Sequence, residues 1–301
     1  MNTPSSMPSS GMPGPESHSY YSQRLRLHYV DWGNRDAPPL LLVHGGRDHC
    51  RNWDWVAAAL RDQYHIIAPD LRGHGDSQWM IGGTYTLLDY VFDIAQLIEQ
   101  THLSPVTIIG HSLGGAVSLN YAGLYPDNVA KLVVIEGMGG PPGKDRKQRP
   151  LKPIEERAHG WVNILRRFSG REVRKYASIE EAFHRMQEAN PHLTPEQARH
   201  LTVHGANQNE DGTYSWKFDN YIRADLPLRI SDDERERLWS RIACPTLLFR
   251  GEESWASDPE QDGRMAHFQN ARLINMADAG HWVHHDKLDL FLRETTEFLA
   301  E

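Results

Sequence analysis

The chain reads as an α/β protein, a mostly parallel central sheet flanked by helices, with a mainly helical cap inserted after the strand that follows the Ser112 helix. Three observations predict this. Short apolar runs such as Leu40–Val43, Val106–Ile109 and Lys131–Glu136 are of the kind buried on both faces of a parallel sheet. Between them lie segments with helical periodicity, such as Trp53–Arg61 and Leu87–Thr101, and strand–helix alternation builds parallel sheets. From Ile154 to Arg241 the alternation gives way to charged helical segments, and it returns at Cys244.

Taken in order, Met1–Ser19 is rich in Met, Pro, Ser and Gly, and is expected to be a disordered tail rather than a signal peptide. Arg24–Trp32 alternates apolar and polar residues, as an antiparallel strand does, and Gly33-Asn34 closes it. Leu40–Val43 is the next strand, ending in His44-Gly45-Gly46. A glycine-rich loop after a buried strand brings a backbone N–H close to a ligand without side-chain interference, which makes Gly46 a candidate oxyanion donor. After helix Trp53–Arg61, strand His65–Ala68 runs into Pro69–Ser77, where Asp70 and His74 are read as groups that tie the loop together. Leu87, Val91, Ile94, Leu97 and Ile98 share one helical face and lead to the central stretch.

That stretch, Val106–Tyr121, is a strand, a sharp turn at Ser112 and a helix. Gly110-His111-Ser112-Leu113-Gly114 has the G-x-S-x-G pattern, in which a strained serine stands between strand and helix and flanking glycines avoid collisions. The helix start directs the N–H of Leu113 toward an incoming anion. Lys131–Glu136 is a further strand closed by a carboxylate, and Gly137–Pro150 is a Gly/Pro and basic loop marking a boundary. The expected organisation is therefore a core of residues 20–140 and 242–301 around a cap of residues 141–241. The cap is expected to hold helices over Glu155–Phe168, Ile179–Ala189, Pro195–Val203 and Asp232–Arg241, with a hairpin or extended arm at Asn209–Tyr221. Cys244–Arg250 and Arg272–Asn275 complete the sheet, His284-His285-Asp286 reads as the polar start of the last helix, and Leu288–Leu299 closes the chain.

Composition narrows the function classes. A net charge of −8 argues against nucleic acid or an anionic membrane as partner, and no apolar run reaches the length of a membrane span. Cys50 and Cys244 suggest neither a disulfide framework nor a metal site, so a reducing, cytoplasmic setting is expected. Most of the 17 histidines stand alone in polar segments and are read as surface. No phosphate loop and no metal-ligand cluster is visible, and no cofactor is expected.

In their order, strand-HGG, strand-GHSLG, helical insertion, strand-Gly-acidic loop and strand-x-Gly-His, these motifs resemble the α/β-hydrolase superfamily, most of all its capped serine esterase and serine hydrolase-like branch. The resemblance runs from about Arg24 to Glu301. It implies Ser112 as nucleophile, His281 as the base that follows Gly280, and Gly46 and Leu113 as the oxyanion hole. The acid usually lies a few residues past the glycine of TLLFRG, where this chain has Ser254. A minority of the superfamily takes it from the end of the strand after the elbow helix, where Glu136 stands. Burying that carboxylate without a partner is expensive, which favours it as the acid. Asp258 is the alternative, and Glu253 a weaker one.

A serine at this position argues against dehalogenase and epoxide hydrolase chemistry, which need an aspartate. The preferred reading is a carboxylesterase-like serine hydrolase for a small or medium small-molecule ester, monomer or homodimer, with His111, Trp255, Trp282 and Trp216 as pocket walls. A second is C–C bond hydrolysis of a keto-acid-like substrate, with Arg47, Arg51 and Arg166 as candidate carboxylate holders. A third is a ligand receptor on a hydrolase scaffold.

Overall fold

The computed structural model describes residues 14–139, 152–224, 227–228 and 230–301. Ten strands run in chain order: β1 Glu16–Ser22, β2 Leu25–Asp31, β3 Pro39–Val43, β4 His65–Pro69, β5 Val106–His111, β6 Val129–Ile135, β7 Ala206–Gln208, β8 Tyr214–Trp216, β9 Thr246–Gly251 and β10 Ala271–Met276. The helices are α1 Asp54–Leu60, α2 Leu87–Gln100, α3 Leu113–Leu124, α4 Ile154–Phe168, α5 Ile179–Ala189, α6 Pro195–Gly205, α7 Asp232–Trp239, α8 Val283–Asp286 and α9 Leu288–Ala300.

Eight strands form one sheet in the order β1-β2-β4-β3-β5-β6-β9-β10. β1 and β2 pair antiparallel, β2 meets β4 antiparallel, and every pairing from β4 to β10 is parallel. The apolar runs sit where both faces are covered: Leu40–Val43, Ile108, Ile109 and Leu132–Ile135 are buried in two cores, one on each side of the sheet. Because β3 connects to β4 on one side and pairs with β5 on the other, the chain reverses direction of travel across the sheet beside β3. Ligands of open α/β sheets bind outside the strand ends at such a point.

Several expectations are corrected. Residues 16–19, assigned to the tail, belong to β1, which pairs along the whole of β2 from Glu16↔Asp31 to Ser22↔Leu25. The side chains holding it are Tyr20, buried, and His18, stacked on Tyr29 at 5.2 Å. Residues 1–13 lie outside the described residues, as does the boundary loop from residue 140 to 151. Helix α7, assigned to the cap, packs on α3 instead: Trp239 is buried in the main core, and Gly123 lies so close to Leu238 that a Cβ there would stand 2.4 Å from its carbonyl oxygen. Its DDERER run masked this, because one tryptophan and one leucine carry the packing.

Segment 154–224 lies between β6 and β9 in sequence and contains α4, α5, α6 and the β7–β8 hairpin. Its contacts with the sheet side include two groups of hydrogen bonds. In one, α6 meets the β3–α1 connection, with His49 Nε2 3.0 Å from the Leu201 carbonyl and His200 Nε2 3.1 Å from that of Arg51. In the other, the Tyr85 hydroxyl donates to Asp219 at 2.6 Å and the Asp219 amide to the Gly73 carbonyl at 2.9 Å.

Asp70 binds the loop after β4, accepting from the Cys50 and Asp76 amides at 2.7 and 2.9 Å and facing His28 Nδ1 at 2.7 Å. His74 turns back onto the Arg72 carbonyl. Arg72 itself, fully buried, makes a two-pronged pair with Asp93 at 2.6 Å on each arm, the geometry in which a buried ion pair is tolerated.

Candidate active site

The loops after β3, β5, β6, β9 and β10 converge on one end of the sheet, and each carries a residue singled out by sequence: Gly46, Ser112, Glu136, Trp255 and His281. Ser112 sits between β5 and α3 with φ 51° and ψ −113°, a backbone conformation costly for any residue with a Cβ. Its glycines are explained by space. A Cβ on Gly114 would stand 2.2 Å from the Val43 carbonyl oxygen, and one on Gly110 2.7 Å from that of Gly114. The turn can therefore be this tight only with both glycines, and the amide of Leu113 opens α3.

Glu136 follows β6 with φ 52°, which turns its side chain across the end of β9. The carboxylate, fully buried, accepts the Gly251 amide on Oε1 at 2.9 Å, while Oε2 accepts the Ser254 hydroxyl and lies 2.5 Å from His281 Nδ1. Ser254, at the position where the superfamily's acid usually stands, is thus a donor to the carboxylate arriving from the neighbouring strand. Asp258 is engaged elsewhere: its Oδ1 accepts the Glu260 amide at 2.9 Å and its Oδ2 the Gln261 side chain at 3.2 Å. Glu253 pairs with His192 at 3.5 Å.

Ser112, Leu113, Gly46, His111 and His281 line a single cavity of about 870 Å³. Gly46 approaches α3 closely, since a Cβ built on it would stand 3.9 Å from that of Leu113. His111 is buried beneath, its Nε2 2.9 Å from the His281 carbonyl and its ring 4.8 Å from the His281 ring. Trp255, Trp282 and Trp216 all line the cavity, with the exposed Trp255 ring 5.1 Å from that of His281. Of the candidate carboxylate holders only Arg47 does. Arg51 is bound to Asp54 at 2.6 Å, and Arg166 stays on the exposed face of α4. Sequence reasoning missed Asp48, Phe168 and Arg223, all on the cavity wall. Asp48 was findable as a neighbour of the His44-Gly45-Gly46 loop, whereas nothing local marks Arg223.

Seven of the 17 histidines depart from the surface reading. His28, His44, His49, His74, His111, His284 and His285 are buried. His284 and His285 form α8 rather than the start of α9, and their Nε2 atoms lie 2.7 and 2.9 Å from Asn52 Oδ1. Burial lowers the ring pKa of His44 to about 4 and of His74 and His285 to about 3, and depresses His49, His111 and His284 as well. In the unfolded chain each titrates near 6.5. Between that pH and about 4, unfolding takes up protons, so acid removes stability. Asp48, pushed up to about 7 by burial, acts in the opposite sense as pH rises to neutrality, as do Asp93 and Asp286, which burial also raises, but these three carboxyls stand against six rings. The expected result is a Tm that falls steadily from pH 7 to pH 4.5, with roughly three or more protons bound on unfolding near pH 5. A flat profile would mean that the rings ionise inside the native protein.

Among the described residues, no helix is long and apolar enough to cross a membrane. The family model described as alpha/beta hydrolase fold matches residues 38–288. A Haemophilus influenzae protein named for esterase/lipase activity is 26% identical over 273 residues, covering 88% of this chain and 84% of that one. The 3-hydroxybutyrate-oligomer hydrolase of Cupriavidus necator is 28% identical over 272 residues, covering 85% and 87%. In structure, the hypothetical protein PA1622 of Pseudomonas aeruginosa PAO1 is similar with a TM-score of 0.83 at 23% identity, over 95% of this chain and 100% of that one, a likeness of fold.

Proposed function

The chain belongs to the alpha/beta hydrolase fold family, and from that premise we propose that it is a serine hydrolase of carboxylic esters working through an acyl-enzyme. The observation that carries the reading is the His281–Glu136 contact at 2.5 Å, at the edge of the cavity that also holds the strained Ser112. Relatives named for esterase/lipase activity and for 3-hydroxybutyrate-oligomer hydrolysis support ester substrates.

In this mechanism Ser112 Oγ attacks the ester carbonyl while His281 Nε2 takes the hydroxyl proton. Glu136 accepts the hydrogen bond from Nδ1–H, which keeps Nε2 the basic nitrogen and stabilises the imidazolium. The N–H groups of Gly46 and Leu113 hold the oxyanion, each worth about 3 kcal/mol. Collapse expels the alcohol, which receives the proton from His281, and water repeats the sequence on the acyl-enzyme. Segment 154–224 serves as the cap, and its α4–α5 region, hairpin and Asn220–Arg223 turn supply the outer cavity wall.

Stopped-flow hydrolysis of p-nitrophenyl acetate, butyrate and octanoate tests this. The expected result is a burst of about one p-nitrophenol per active site, then slower turnover, with a fluorophosphonate label found on Ser112 by mass spectrometry. Absence of both burst and label overturns it. C–C cleavage of a keto acid is the second reading, favoured by Arg47 in the cavity; turnover of a vinylogous diketo acid without p-nitrophenol release would select it.

A further inference from the structure

The walls of this cavity carry more positive than negative charge: Arg47, Arg171, Arg174, Arg185 and Arg223 against Asp48 and Glu172. Arg185 is paired with Glu188 at 3.4 Å, and Arg174 and Arg223 lie over the rings of Tyr176 and Phe218 at 5.1 and 5.9 Å. Among the described residues, neither Arg47 nor Arg223 forms an ion pair with a carboxylate. The nearest carboxylate in sequence is no remedy, because the Asp48 oxygens are taken by the His49 amide and the Asn52 side chain. Arg47 also adopts φ 65°, a conformation disfavoured for a long side chain, immediately after Gly46. The strain sets a guanidinium beside the proposed oxyanion loop, where burial and the charge of Arg223 hold it below its ordinary pKa. Two cations that line one cavity and, among the described residues, have no carboxylate ion-pair partner are relieved by an anion that both reach, and guanidinium groups match a carboxylate in two-pronged geometry.

We propose that Arg47 and Arg223 form a carboxylate-binding subsite, so that the substrates are esters bearing a free carboxylate, on the acyl or the alcohol side. The assignment rests on the ester hydrolase reading and deepens it. Asp48 and Glu172 oppose the anion, but among the described residues four cavity arginines have no carboxylate ion-pair partner. The subsite places the reacting carbonyl next to Gly46 by holding the far end of a short substrate, which turns binding into orientation.

The test compares matched pairs. Mono-p-nitrophenyl glutarate against p-nitrophenyl pentanoate probes the acyl side, and 3-butyryloxybutyrate against sec-butyl butyrate, followed by proton release, probes the alcohol side. In at least one pair the carboxylated ester is expected to have the higher kcat/KM by about 10- to 100-fold, through KM, with the advantage shrinking as NaCl is added. Arg47→Asn, which removes the charge and tolerates positive φ, and Arg223→Gln should each cut that ratio by roughly 10-fold. Turnover of neutral esters with no preference in either pair overturns the subsite and leaves the ester hydrolase standing; no turnover of any ester overturns the parent reading. Calorimetric titration of glutarate into Ser112→Ala protein reads the subsite without turnover. Binding that is lost on adding Arg47→Asn supports it, and no binding to Ser112→Ala itself overturns it.

Discussion

Ser112→Ala is expected to lower kcat on p-nitrophenyl butyrate by on the order of 10⁶-fold, with the burst abolished. The size follows from what the hydroxyl does. In the proposed mechanism, without Oγ there is no acyl-enzyme, His281 has no proton to move, and only Gly46, Leu113 and the cavity remain to polarise the carbonyl. Folding should survive the change and even gain slightly, because Ser112 makes no side-chain cap bond on α3. An unchanged thermal midpoint beside the lost activity therefore separates chemistry from structure. Residual turnover within 100-fold of wild type would remove Ser112 from the mechanism.

Glu136→Gln should cost about 10⁴-fold in kcat, as expected when the base is held in the wrong tautomer. The amide keeps the shape of the carboxylate but presents His281 Nδ1 with a neutral group that no longer stabilises the imidazolium. Asp258→Asn should stay within a few-fold of wild type, because Asp258 only closes its own turn through Glu260 and Gln261. Glu136 also receives the Gly251 amide and the Ser254 hydroxyl, so some loss of stability accompanies the substitution. Circular dichroism at the assay temperature distinguishes the two effects: a loss of chemistry leaves the protein folded, whereas a structural loss takes fold and activity together. Loss in Asp258→Asn with activity retained in Glu136→Gln would exchange their roles.

Glu136, the proposed acid, shows how far one dimension reaches. LVVIE is a buried strand closed by a carboxylate, and burial alone demands a partner for Glu136. That partner lies 145 residues away, and only the parallel register of β6 with β9 and β9 with β10 brings His281 to it. The departure at Ser254 became intelligible the same way: a hydroxyl suffices there because the charge comes from the adjacent strand. The histidines went the other way. His49, a histidine in a polar segment of the kind read as surface, is buried by the packing of α6, and His284, read as part of a polar helix start, is fully enclosed.

What the chain determined locally is what short-range sterics and period-two or helical patterning can determine. Apolar β-branched runs choose doubly covered strands, and Gly110 and Gly114 permit the turn at Ser112 because no Cβ fits there. What only the tertiary structure decided depends on groups distant in sequence: the engagement of Glu136, the burial of seven histidines, the packing of α7 on α3, and the presence of Arg47 and Arg223 in the lining of one cavity. An arginine carries the same local signature on a solvated face as in a binding pocket. Whether a carboxylate lies within reach of it is settled by sheet order and by where segment 154–224 rests, and no local pattern encodes either.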